Sequence, residues 1–238
     1  MRKLLRKSME MAAKTIIHQI YFDDNSKKCL QSFAIPYDNT WYDGKPKQPA
    51  FENHIILDLI AASAHKDCDY FGVLSWQFEK KNSYWLKNIF DDMQKFPNVE
   101  TYTFYKAHTQ ANLWRVAEQW HTGIIQTAQH IFNRFNGFKI SQIDMPTIYQ
   151  NAHVSKSDIY EDYVQTWLQP LMEIMADTED IWLQEKLYSD TKYKSWTLNK
   201  TKLQNVTGVP YYPMHSFICE RFFATYCAAK KIKIKHLC

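Results

Sequence analysis

Glycine is scarce in this chain: five residues in 238. No GxGxxG or Walker-type run can be assembled from them, so the glycine-rich phosphate loops of dinucleotide- and P-loop proteins are excluded. Cysteine is equally sparse. Cys29, Cys68, Cys219, Cys227 and Cys238 are scattered, odd in number and without CxxC spacing, which argues against a zinc site or a disulfide framework. They read as reduced thiols of a cytoplasmic protein. No apolar run approaches the length of a membrane span. The opening "MRKLLRKSMEMAAK" is basic but lacks the unbroken apolar stretch of a signal peptide. Residues 1–14 therefore read as a basic extension, either a short surface helix or an addition that is no part of the fold. Charge of one sign is also missing: 29 Lys+Arg against 25 Asp+Glu leaves a net +4, too little to indicate nucleic acid.

What the chain does have is apolar and aromatic residues, 45% and 16% of the total. That composition excludes general disorder and supplies a sizeable core. Three strands are expected in the first hundred residues: "TIIHQIYF", "DYFGVLSWQF" and "VETYTFY". Between them lie the amphipathic stretches "AFENHIILDLIAASAHKD" and "YWLKNIFDDMQKF". Such alternation predicts an α/β fold, a single mixed and mainly parallel sheet covered by helices. The second half is expected to be helix-rich. One long helix is predicted over "LWRVAEQWHTGIIQTAQHIFNRF", a strand and loop over "TIYQNAHVSK", and a helix opening at Ser157 or Asp158. The last helix is predicted over "HSFICERFFATYCAAKK", and the tail "KKIKIK" reads as an edge strand with its lysines outward. The expected organisation is one domain, with a nucleotide-binding-like half over 15–110 and a helical half over 111–238.

Ligands of open α/β sheets bind beyond the carboxyl ends of the strands. The polar residues at those ends are therefore the candidate site: His18, Gln19, Asp23 and Asp24 with the first strand, Ser75, Trp76 and Gln77 after the central one, and Asn151 by the late one. Asp23 and Asp24 could equally form a solvated turn. Asp67-Cys68-Asp69 has the letters of a metal-binding pair but precedes its strand, which puts it at the wrong edge. His121, among aromatics, reads as a packed histidine; His215, at a helix start, is the better ligand candidate. Trp41 and Trp76, in a loop and at a strand end, could offer stacking faces, although most aromatics here belong to the core.

"TIIHQIYF" resembles the opening strand of sugar-binding-region glycosyltransferases related to the yeast initiating mannosyltransferase. From Glu52 onward the chain is also similar to a bacterial polysaccharide-biosynthesis family described as glycosyltransferase-like. The matching segments, in order, are "FENHIILDLI", "DYFGVLSWQFEKK", "QNAHVSKSDIYEDYVQTWLQPLMEI" and "CERFFATYC". The resemblance implies a GT-A-like nucleotide-sugar fold and transfer of a sugar to a saccharide or lipid-linked acceptor in cell-surface polysaccharide synthesis, such as capsule or lipopolysaccharide. It implies roles for Glu52 and Glu220 as catalytic carboxylates and for Asn151 in binding sugar hydroxyls. Where that family has His-Tyr-Arg-Arg after the central strand, this chain has Ser75-Trp76-Gln77-Phe78. Two basic residues that could meet a diphosphate are thus absent, while Lys80 and Lys81 lie nearby. Mn2+ or Mg2+ is an open expectation, to be held by Asp23, Asp24 or Glu79 if a metal is used. The rival readings are a relative that binds a nucleotide sugar or glycan without turnover and, less favoured, a nucleic-acid binder. Peripheral contact of "KKIKIK" with an anionic membrane is a further expectation.

Overall fold

A computed structural model describes residues 13–105, 110–194, 197 and 199–237, apart from the side chain of Ser141. The N-terminal extension up to residue 12 and Cys238 lie outside these. The elements in chain order are β1 (Thr15–Tyr21), α1 (Asp24–Lys27), β2 (Ile35–Asp38), α2 (Glu52–Ala61), β3 (Tyr70–Ser75), α3 (Phe78–Asn82), α4 (Ile89–Lys95), β4 (Thr101–Thr103), β5 (Gln110–Ala111), α5 (Leu113–Glu118), α6 (Ile124–Phe135), β6 (Met145–Pro146), β7 (His153–Lys156), α7 (Ser157–Tyr163), α8 (Gln169–Met175), α9 (Ile181–Leu187), α10 (Lys200–Thr207), α11 (Met214–Lys230) and β8 (Ile234–His236).

Six strands form one mixed sheet in the order β2-β1-β3-β7-β4-β8. β1 pairs parallel with β2 and β3, and β4 pairs parallel with β8, while β7 runs antiparallel between β3 and β4. The period-2 alternation of strand side chains divides the core in two. Ile20, Phe71 and Val73 face α2, α6, α7, α8 and α11. Ile17, Tyr70, Leu74, Tyr102 and Val154 face Phe78, Leu86, Ile89 and Met93. Gly72 stands opposite Val154, and a Cβ there would lie 2.7 Å from Val154 Cγ2. The two strands thus approach across a position that has room only for hydrogen.

Several boundaries differ from the expectation. The long helix expected over 113–135 is two helices, because Gly123 adopts φ 88 between α5 and α6. The Glu118 carboxylate then accepts the free N–H groups of Gly123 and Ile125 at 2.6 and 2.9 Å. The helix over 157–175 is continuous but widens to π geometry over Val164–Leu168. Pro170 follows at once, and it has no N–H to bond the Thr166 carbonyl, so the α register cannot run through. The loop expected after residue 34 contains β2. The central strand ends at Ser75, and the late one begins only at His153. α9 and α10 lie in a stretch for which no element was expected. "KKIKIK" does supply an edge strand, β8, whose Lys235 ammonium lies 3.9 Å from the Phe96 ring centroid. No described helix is long and apolar enough to cross a membrane. The four described cysteines are free.

Candidate functional site

Five of the six strands send their carboxyl ends to one edge of the sheet, and β7 brings its amino end there. Beyond that edge lies a cavity of about 970 Å³. Its floor is made by Phe22 after β1, Ser75, Trp76 and Gln77 after β3, Tyr105 after β4, and Tyr149, Gln150 and Asn151 before β7. Its sides are the 39–53 segment with Glu52 and Asn53 at the start of α2, Trp120 and His121 after α5, and Phe217, Glu220 and Arg221 of α11. Lys194, Asn199 and Lys202 complete it.

Backbone strain gathers here. Phe51 (φ 48), Gln150 (φ 58), Asn151 (φ 52) and Lys194 (φ 49) all line the cavity in the positive-φ region that side chains other than glycine's seldom enter. Phe51 turns the chain so that Glu52 becomes the first residue of α2, where a carboxylate is favoured by the helix N-terminus. Asn53 donates to the Ala50 carbonyl at 2.9 Å and accepts from the Asn151 amide at 3.4 Å, tying α2 to the β7 approach. Buried polar atoms without a protein partner also collect at the wall. Trp41 Nε1, His121 Nδ1 and Asn151 Oδ1 are buried with no hydrogen bond among the described residues. Unsatisfied groups of this kind are costly unless a ligand or water meets them.

The charges are arranged around Glu220. Its side chain is 30% exposed, and burial in the cavity wall raises its pKa above the ordinary carboxylate range; the Glu52 charge adds to the rise, while Arg221, Lys81 and Lys194 oppose it. Glu220 Oε2 lies 3.6 Å from Arg221 Nη1. Arg221 is itself buried and committed to the protein: Nε donates to the Leu113 carbonyl at 3.3 Å and Nη1 to that of Phe217. His121 stacks on Phe217 with 3.7 Å between ring centroids. Burial, and secondarily the Arg221 charge, lowers its pKa to about 4, so it is neutral at neutral pH.

Glu52, Ser75, Trp76, Gln77, Asn151 and Glu220, chosen from sequence, all line this one cavity, as does Trp41. The others do not. His18 is buried inside β1 with its ring 5.6 Å from that of Phe71. Gln19 Oε1 accepts from the Gln31 N–H at 2.6 Å and anchors the segment leading to β2. Asp23 is the N-cap of α1: its Oδ1 accepts from Ser26 N and Oγ, each at 2.7 Å. Asp24 is exposed in the first turn of α1. Glu79 Oε1 accepts from Gln31 Nε2 at 3.2 Å and from Leu86 N at 2.9 Å. His215 is buried against Tyr188, and burial drives its pKa down to about 3. Among the described residues no group of three or more His, Cys, Asp and Glu side chains is gathered that could hold a metal ion.

Sequence reasoning passed over Lys194, Lys202, Tyr149, Asn53 and the exposed Trp120. Lys194 and Lys202 sit where the sequence shows no periodic pattern, so nothing marked them as facing a cavity. His121 reads from sequence as a packing residue; it does pack, as does Arg221, but both also form the cavity wall.

No family model matches the chain, and no curated protein does. Among solved structures it is similar to the apo form of WbbM, a bifunctional glycosyltransferase. The identity is 13% and the TM-score 0.43 over 94% of this chain and 44% of that one. The chain thus spans less than half the length of that protein.

Proposed function

We propose that the chain is a glycosyltransferase that takes a nucleoside-diphosphate sugar into the strand-end cavity and passes the sugar to a saccharide or lipid-linked acceptor. The observation that carries this reading is the recessed carboxylate of Glu220, with Glu52 close enough to raise its pKa and Arg221 beside it, in a cavity of about 970 Å³ at the carboxyl edge of the sheet. Sheets of this kind bind nucleotides at that edge, and the volume is at the upper end of the range typical of small-molecule sites.

Trp41 and Trp76 offer aromatic faces to the nucleotide base. Asn151, whose Oδ1 has no partner among the described residues, and Glu52 offer acceptors to sugar hydroxyls. Glu220 is the base. It accepts the proton of the acceptor hydroxyl as that oxygen bonds to the anomeric carbon, the bond from that carbon to the phosphate oxygen breaks, and the nucleoside diphosphate leaves with the electron pair. A raised carboxylate pKa brings the base nearer to neutral pH, where proton transfer is most effective. The replacement of the family's arginine pair by Gln77-Phe78 favours a second reading, a nucleotide-sugar or glycan binder without turnover.

A thermal-shift panel of UDP, GDP, CDP and dTDP with their sugar conjugates tests the binding half, because a ligand of the native state raises Tm. Release of nucleoside diphosphate from the bound conjugate tests the chemistry. Binding with turnover that is lost in Glu220→Gln is the expected result. Binding without any turnover supports the non-catalytic reading, and no binding rejects the transferase and the nucleotide-sugar binder and leaves glycan binding as the reading to test.

A further inference from the structure

Resting on that reading, we infer that the cavity neutralises the ligand's diphosphate with three lysines, Lys81, Lys194 and Lys202, and not with a divalent cation. Single-sheet nucleotide-sugar transferases of the GT-A type commonly hold a metal on acidic residues at a strand end. The donor set here does not fit one.

The acids near this edge are engaged elsewhere or, like the exposed Asp24 on α1, do not line the cavity. Asp23 is closed on Ser26 as a helix cap. Asp38 accepts from the Thr40 N–H at 2.8 Å, and Tyr21 also bonds to it. Glu79 is spent on Gln31 and Leu86. Asp69, at the opposite edge, accepts the Lys14 N–H at 2.7 Å. Glu52 and Glu220 are the acidic side chains among the described lining residues. Glu220 already has Arg221 at 3.6 Å and feels the charges of Lys81 and Lys194. A divalent ion bound to it would sit among cations, at a Coulombic cost.

The cations are arranged the other way. Lys45, Lys81, Lys194, Lys202 and Arg221 line the cavity against those two carboxylates. Lys45 Nζ is held by Asn39 Oδ1 at 2.6 Å and by the Thr40 carbonyl, and Arg221 by Leu113 and Phe217. The remaining three are exposed and come from three separate places in the chain. Lys81 lies in α3 just beyond the end of β3. Lys194 precedes α10, its ammonium 5.1 Å from the Tyr193 ring centroid. Lys202, on α10, sits 4.2 Å from the ring centroid of Phe22, at the end of β1. A ring face holds an ammonium without using up its N–H donors, so these groups keep their capacity for phosphate oxygens. Three point charges balance the two of the donor's diphosphate and the further one that develops as the nucleoside diphosphate leaves, and lysine is a common phosphate partner.

The test uses the full chain and the four nucleoside diphosphates, each titrated by calorimetry in EDTA and in excess Mn2+. At least one nucleotide is expected to bind with the same Kd in both buffers. Lys81→Ala, Lys194→Ala and Lys202→Ala should each raise that Kd about 10-fold, the loss typical of a charge-assisted hydrogen bond. The arginine replacements should retain most of the affinity, and the effect should shrink for the nucleoside monophosphate, which lacks the β-phosphate. Unchanged Tm of the unliganded variants excludes a folding defect. Binding that appears only with Mn2+, or lysine variants with unaltered Kd, overturns the inference and leaves the transferase reading intact. Failure of every nucleotide in both buffers removes the inference and that reading together.

Discussion

Glu220 is a carboxylate held where burial works against its charge, and Glu52 adds to the strain. Removing the second charge by Glu52→Gln should therefore lower the pKa of Glu220, which carboxyl 13C NMR reads directly with or without turnover. A titration that does not move would mean that the two groups do not sense each other and would leave Glu52 without an electrostatic part in the site. If Glu220 is the base, the acid limb of kcat/KM lies above the ordinary carboxylate range and follows the same downward shift. At this scale the sequence was legible where a residue type had one dominant use. Asn151 and Ser75 to Gln77 could be placed because strand ends point at ligands, and Glu52 through the resemblance of the segment that it opens. Asp23 was ambiguous, because a cap and a ligand both use carboxylate lone pairs. The feature that separates them was present: Ser26, three residues on, is the partner in a capping box.

Between elements, β3 approaches β7 closely at Gly72. Gly72→Ala would put a methyl carbon 2.7 Å from Val154 Cγ2 and should cost about 1–3 kcal/mol, the usual range for overpacking. Val154→Ala in the same chain should return part of that loss, so a urea double-mutant cycle should show coupling; strict additivity would show that the strands do not meet there. Gly123 makes the break between α5 and α6, and Gly123→Ala should cost on the order of 1 kcal/mol in Tm-derived stability, because φ 88 is disfavoured once a Cβ is present. An unchanged Tm would show that the turn relaxes. The expectation of one helix over 113–135 failed at this point: apolar periodicity continues through the turn, and a single glycine is tolerated in many helices.

In the molecule as a whole, stability depends on keeping histidines neutral. His121, His153 and His215 are buried, and burial lowers their pKa values to about 4, 3 and 3. The unfolded chain protonates these groups near pH 6.5, while the folded one stays neutral, so stability is full above that pH. It is then lost as pH falls toward the folded values. Each extra proton bound by the unfolded state contributes about 1.4 kcal/mol per pH unit, so the three together give a slope of up to roughly 4 kcal/mol per pH unit below about pH 5.5. The urea midpoint should therefore fall sharply between about pH 7 and about pH 5. His153→Phe, which keeps a ring against Phe223, should flatten that fall. A midpoint independent of pH would mean that these rings are hydrated.

The sequence by itself determined the α/β character, the segments of β1, α2, β3, α4 and β4, the edge strand at the tail and several residues of the cavity. Period-2 and period-3.6 apolar patterns are local, and strand ends have a fixed relation to ligands. The tertiary structure alone decided strand order, the antiparallel insertion of β7, and which polar groups were already used. It also brought Lys81, Lys194 and Lys202 to one cavity with Glu220. Those convergences join residues more than a hundred positions apart, and no local pattern records what the packing of α10 and α11 over the sheet brings together.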